Sequence, residues 1–138
     1  MRFVNGKYSI ADGKNAVNLE AVHRLLGKSY WAKDRSLETI SATIDRSLCF
    51  SLFRDEKQIG FARVLTDYVT YAVILDMIID EEHRGKGLGK WLMETITTHS
   101  AIGGIRQILW TSTAENFYQK FGFRPVKDKP ILMVKPSF

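Results

Sequence analysis

The chain has 138 residues, 45% hydrophobic and 25% charged, which is enough apolar material for a folded core and too much for a disordered segment. Its one cysteine, Cys49, excludes an intramolecular disulfide framework and a cysteine-rich zinc site. The net charge of +5 admits nucleic acid, a membrane surface or a small anion as partner, but the excess is dispersed. Residues 1–69 hold 11 basic against 8 acidic side chains and residues 70–138 hold 9 against 7, with no run of five like charges. A basic nucleic-acid arm is therefore not expected. No stretch of about 20 apolar residues is present, so no membrane span is expected. Met1-Arg2-Phe3-Val4-Asn5-Gly6-Lys7 leads into no apolar signal core, so a cytoplasmic location is expected. Without a repeat or a Pro/Gly/Ser-rich linker, residues 1–138 read as a single domain.

Lys7 to Ile10 predicts a first strand, ended by the turn signal Asp12-Gly13. Asn18 is a predicted N-cap, with Leu19, Val22, Leu25 and Leu26 following at helical spacing and Gly27 closing the helix. Ser36 caps a second helix carrying Leu37, Ile40 and Ile44 on one face. The segment between them, residues 28–35, reads as a loop. Leu48–Phe53, Gln58–Thr66 and Thr70–Ile79 predict three strands joined by links too short for crossovers, hence an antiparallel meander. The third is nearly all apolar, broken only by Asp76. A glycine-rich turn and a helix with Leu88, Trp91, Leu92, Thr95, Ile96 and His99 on its inner side follow. Ile105–Thr111 predicts a strand parallel to the third, because a helix intervenes. A short helix over Ala114–Phe121, stopped by Gly122, and a last strand over Ile131–Val134 complete the chain. The class is α/β in the α+β sense, a mixed and largely antiparallel sheet with flanking helices.

The most informative segment is Arg84-Gly85-Lys86-Gly87-Leu88-Gly89, placed between a buried strand and an amphipathic helix. Glycines let backbone amides approach an anion at a helix N-terminus, where the helix dipole favours negative charge, and Arg84 and Lys86 add to the field. The spacing is neither a Walker A loop nor a full dinucleotide fingerprint.

This segment resembles the R/Q-x-x-G-x-G/A motif of the GNAT superfamily of acyl-CoA-dependent N-acetyltransferases. Ala114-Glu115-Asn116-Phe117-Tyr118-Gln119-Lys120-Phe121-Gly122-Phe123 resembles the second signature of that family. The resemblance covers about residues 58–126. It implies a GNAT-like fold and binding of acetyl-CoA, with Arg84, Gly85, Lys86, Gly87, Leu88 and Gly89 at the phosphates. It places the backbone of Met77, Ile78 and Ile79 along the pantetheine arm. It implies acetyl transfer to a primary amine by direct attack on the thioester, with an Ile79 amide facing the carbonyl oxygen. Tyr118 takes the place of a general acid toward the sulfur, since a phenol with an ordinary pKa near 10 stays protonated at neutral pH. Asp76 is a candidate base, with ordered water as the other candidate, or else a carboxylate held by a nearby Lys or Arg. Thr111 stands where relatives carry an Asn, and either it or Asn116 is a candidate cofactor contact. In this fold Tyr30 and Trp31 either wall the acceptor site or anchor the loop in the core.

His83 beside the turn is expected to face solvent, and Cys49 to be a small buried apolar residue. The three histidines are too scattered for a metal site, and no metal is expected. The acceptor is left open between small amines and protein amines, and the assembly between monomer and homodimer. A non-catalytic acyl-CoA-binding or sensing module on the same fold is the alternative reading.

Overall fold

The computed structural model describes residues 1–128 and 130–136. Its sheet has six strands in sequential order: β1 (Arg2–Asn5), β2 (Tyr8–Asp12), β3 (Leu48–Arg54), β4 (Lys57–Thr66), β5 (Tyr71–Ile79) and β6 (Arg106–Ile108). The first five are antiparallel, and β6 runs parallel to β5. The helices are α1 (Leu19–Leu26), α2 (Leu37–Asp45), α3 (Leu88–Thr97) and α4 (Glu115–Gln119). The mixed, largely antiparallel sheet with flanking helices is the expected class.

The caps act where the sequence places them. Asn18 accepts from Ala21 N at the start of α1, and Ser36 accepts from Thr39 N at the start of α2. Each satisfies an amide that the helix itself leaves unpaired. Gln58, buried on β4, accepts from Asn18 N at 2.8 Å and donates to Gly60 O at 3.1 Å. This one side chain ties the entry of α1 to the sheet.

Alternation along the strands makes two cores. One face brings Ile10, Phe50, Leu52, Ile59, Val64 and Ile74 against Leu92, Met93 and Ile96 of α3. The other brings Cys49, Phe61 and Ile78 against Val22, Leu25 and Leu26 of α1 and Ile40 and Ile44 of α2. Each fully buried aliphatic side chain is worth about 1.5–3 kcal/mol relative to exposure. At Gly60 the neighbouring strands leave no room for a side chain: a Cβ there would lie 3.0 Å from Leu52 Cδ2 on β3 and 3.2 Å from Ile78 O on β5.

The structure departs from expectation in three places. β1 was not anticipated, because Arg2–Asn5 is short and mostly exposed; it forms as the outer arm of a hairpin turned by Gly6 at φ 61°. The strand expected over Ile105–Thr111 shortens to Arg106–Ile108, the only part with a pairing partner on β5. Ile131–Val134 forms no strand among the described residues and is exposed along its length, 63% or more at each residue. It lies between Pro130 and Pro136, neither of which has an N–H to donate to a ladder.

Candidate active site

Two irregularities in the sheet create the site. β6 pairs with β5 only over Tyr71–Val73, so the outer edge of β5 from Ile74 to Ile79 has no strand partner among the described residues. The register between β4 and β5 slips between Phe61 and Arg63, where Phe61 faces Ile78 but Arg63 faces Leu75. β5 thus carries an extra residue, a bulge, and there Asp76 adopts φ 56°. Asp and Asn enter this left-handed region more readily than most residues.

At the end of β5 the chain makes a 3₁₀ turn over Glu81–His83 and passes through Gly85 at φ 78° and Gly87 at φ 76° into α3. Gly87 is the N-cap of α3 and offers no side chain, so the first amides of the helix are uncapped by the protein. A Cβ built on Gly85 or Gly87 would meet nothing within 4 Å. The glycines are therefore demanded by backbone conformation, and they leave an open cradle above the amides. Arg84 donates through Nε to Ile79 O at 3.0 Å, which staples the turn to the strand end.

A groove of about 670 Å³ runs over this region. The structure brings Met77, Ile78, Ile79, Arg84, Gly85, Gly87, Leu88 and Gly89 into its lining, together with Tyr118, Tyr30 and Trp31. Lys86 turns instead to a shallow cleft with Arg54, Asp55, Glu56, Lys57 and Glu82. Lys28, Lys90 and Lys120 also line the groove, positive charges that the motif reading missed. The signal for Lys90 was its place in the first turn of α3; Lys28 and Lys120 carry none that is local. His83, expected in solvent, is buried at 8% exposure with its ring edge-on to Tyr8, and its Nδ1 has no hydrogen-bond partner among the described residues.

Tyr118 is partly buried on α4, with its hydroxyl 4.0 Å from Met77 Sδ and its ring edge-on to Phe117 and Phe123. Burial, with a smaller contribution from nearby Tyr30, raises its pKa above the ordinary tyrosine value. The phenol is therefore held in its protonated form. Thr111 accepts from Ala114 N at 3.0 Å in the turn that precedes α4, and neither it nor Asn116 lines the groove.

Asp76 does not line the groove. Its carboxylate accepts from Arg63 Nε and Arg35 Nη1, both at 2.6 Å, and from Trp31 Nε1 at 3.1 Å. Of the sequence alternatives, this is the carboxylate held by neighbouring arginines. Burial pushes its pKa up, but the Arg63 and Arg35 hydrogen bonds and charges outweigh that, and it lies below the ordinary carboxylate value. Such a group is a weaker proton acceptor than a free aspartate. Trp31, 43% exposed, and Tyr30, 77% exposed, do not anchor the loop by burial. Trp31 is held by Asp76, and the Tyr30 hydroxyl lies 3.1 Å from Ser112 Oγ.

The profile of the Acetyltransferase (GNAT) domain matches residues 45–125, more than half of the chain. The chain belongs to the GNAT acetyltransferase family. A crystal structure of a GNAT-family protein from Xanthomonas campestris pv. campestris superposes with a TM-score of 0.86 at 35% identity, over 94% of this chain and 93% of that one. The uncharacterized N-acetyltransferase ycf52 of Gracilaria tenuistipitata var. liui is 33% identical over 114 residues, 78% of this chain and 62% of that protein. The glucosamine-6-phosphate N-acetyltransferase of Arabidopsis thaliana shares the fold at a TM-score of 0.65 and 21% identity. The matched region of this GNAT acetyltransferase begins at the end of α2 and takes in both the glycine turn and Tyr118.

Proposed function

We propose that this GNAT protein transfers an acetyl group from acetyl-CoA to a primary amine. The observation that carries the reading is the open glycine cradle at the start of α3, in the same groove as a protonated, partly buried Tyr118. The donor set fits a diphosphate-bearing ligand: uncapped helix amides, φ-positive glycines with free space above them, and Arg84, Lys90, Lys28 and Lys120 around the groove. The unpaired edge of β5 at Met77–Ile79 offers backbone donors and acceptors to an amide-containing chain in strand fashion.

Bound acetyl-CoA supplies a thioester whose carbonyl carbon forms a bond to the amine nitrogen as the bond to sulfur breaks. The residues of this chain supply the surroundings. The Ile79 amide is the candidate donor to the carbonyl oxygen as it gains charge. Tyr118 gives its hydroxyl proton to the departing sulfur and regains one from solvent. Asp76, held by two guanidiniums, orders the wall of the site, and water takes the proton that the amine loses. Tyr30 and Trp31 stand beside the acceptor.

The test is calorimetry with acetyl-CoA followed by thiol release against an amine panel. Saturable binding and amine-dependent thiol release are expected. Absence of binding overturns the proposal. Binding without turnover for any amine supports the non-catalytic module instead.

A further inference from the structure

One end of the sheet carries a face that neither core covers among the described residues. α1 and α2 bury Cys49, Phe61 and Ile78. Further along the same side, Arg63 pairs with Leu75 and Leu65 with Val73, and β6 continues the surface with Arg106 beside Tyr71 and Ile108 beside Val73. The reverse side at this end, Ala62, Val64, Ala72 and Ile74, is sealed in the main core. On the open side Leu65 is 49% exposed, Tyr71 47%, and Trp110, two residues past β6, 56%. Val73, Leu75 and Ile108 are half-buried, and none of them belongs to either core. Five apolar side chains across three strands, with Trp110 in the segment just past β6, exceed the usual scatter of single exposed hydrophobes. From Tyr71 to Leu75 the face runs about 13 Å at the rise of a strand.

The face is continuous with the candidate active site. Leu75 is followed by Asp76, which holds Trp31 and Arg35. Trp110 is followed, two residues on, by Ser112, which lies at hydrogen-bond distance from Tyr30. Tyr30 and Trp31 thus stand between the groove and the open face. The charge at the face is asymmetric as well. Arg35, Arg63 and Arg106 flank it, Arg106 over the Tyr71 ring at 5.8 Å, and the carboxylate of Asp76 is shared by the first two. The carboxylate of Asp67 is turned into its own hairpin, where Val69, Thr70 and Tyr71 amides bind it. Pairing with a second copy through the same patch sets these guanidiniums against one another. The occupant is therefore a different molecule, apolar in body and negative in charge.

Building on the acetyltransferase reading above, we propose that this face binds the non-reacting part of the acceptor, an amine with an extended apolar body and a carboxylate. A trileucine peptide with a free C-terminus is a probe of that chemistry, with its C-terminal amide and triglycine as comparisons. Thiol release and tryptophan fluorescence, the latter in the presence of CoA, are measured in parallel. Trileucine is expected to exceed triglycine at least tenfold in kcat/KM and in affinity, with its amide in between. Leu65→Ser is expected to reduce the trileucine preference about fivefold, the effect of losing one half-exposed leucine contact. Arg106→Glu is expected to abolish the advantage of the free acid over the amide. Circular dichroism checks that both variants are folded. Equal binding of trileucine and triglycine overturns the proposal. So does a dimer in light scattering that Leu65→Ser dissociates, since that assigns the face to a second copy. Trileucine binding with the expected preference, but no thiol release from trileucine or from any amine of the panel, upholds this face and refutes the acetyl-transfer reading instead.

Discussion

Replacing Asp76 with asparagine separates a positioning carboxylate from a catalytic base. Asparagine keeps the size and one acceptor oxygen, and it tolerates the φ of 56°, so the backbone contributes little to the effect. What is lost is the charge shared by two guanidiniums. The Arg63 side chain is only 11% exposed, and a hydrogen bond between charged groups at such a site is worth about 1.5–3 kcal/mol. Arg35 is 28% exposed, so solvent screens its share to about 1 kcal/mol or less. The expected loss of stability is about 2–4 kcal/mol, overlapping the range for breaking a buried ion pair. In urea, with m of about 1–3 kcal/mol/M, the midpoint falls by about 0.7–4 M. Asp76→Ala should lose about 1 kcal/mol more, because alanine is strained in the left-handed region. The kinetic signature follows from the Trp31 contact: KM for the acceptor rises while acetyl-CoA affinity holds. The pH dependence has a definite sign. Because the folded pKa lies below the unfolded one, the contribution of Asp76 is complete above the unfolded value near pH 4 and is lost as pH falls through the folded value. Wild type and Asp76→Asn should therefore begin to converge in stability as pH falls below about 4, and meet only once it has passed below the folded value. An unchanged urea midpoint refutes the reasoning. A kcat loss of about 10²–10⁴ at constant KM, with the acidic limb of the pH profile gone, shows a base instead.

Other outcomes follow from the same geometry. Gly87→Val sets a β-branched residue at φ 76° and fills the cradle; calorimetry should show acetyl-CoA affinity reduced at least tenfold, with about 1–3 kcal/mol of stability lost. Tyr118→Phe removes a hydroxyl whose one hydrogen-bond partner among the described residues is Met77 Sδ, at 4.0 Å, so stability should change by less than about 1 kcal/mol. Its kcat should fall about 10²–10⁴-fold, and full turnover would remove the acid assignment alone. The Cys49 thiol is fully buried with its pKa pushed up to about 11, so a thiol reagent at pH 8 should label the protein only on unfolding. Labelling of the native protein within minutes would contradict that burial.

Much of this protein was set locally by its sequence. Asn18 and Ser36 cap α1 and α2 because a side-chain oxygen next to a helical pattern satisfies a nearby amide. The apolar run of β5 and the spacing of Gly85, Gly87 and Gly89 express backbone and burial demands that act within a few residues. The motif around Tyr118 was legible in the same way. What depended on partners distant in sequence was not. Asp76 has the same residues beside it whether it is a free base or a bound anchor. Only the bulge in β5 and the arrival of Arg35, 41 residues earlier in the chain, and Arg63, 13 earlier, decide between these. Lys86 sits in a motif of clear spacing and His83 just before it, yet the turn's three-dimensional path sends the lysine to another cleft and buries the imidazole. Ile131–Val134 has the composition of a strand, but a strand needs a pairing partner, and among the described residues that segment pairs with no edge of the sheet. The same holds for the open face beside Trp31. Its residues alternate like any strand's, and only the reach of α1 and α2 leaves one end uncovered. Local patterns fix which elements form, because their forces act over a turn or a pleat. Which side chain meets which charge, and which apolar face stays open, is decided when those elements pack.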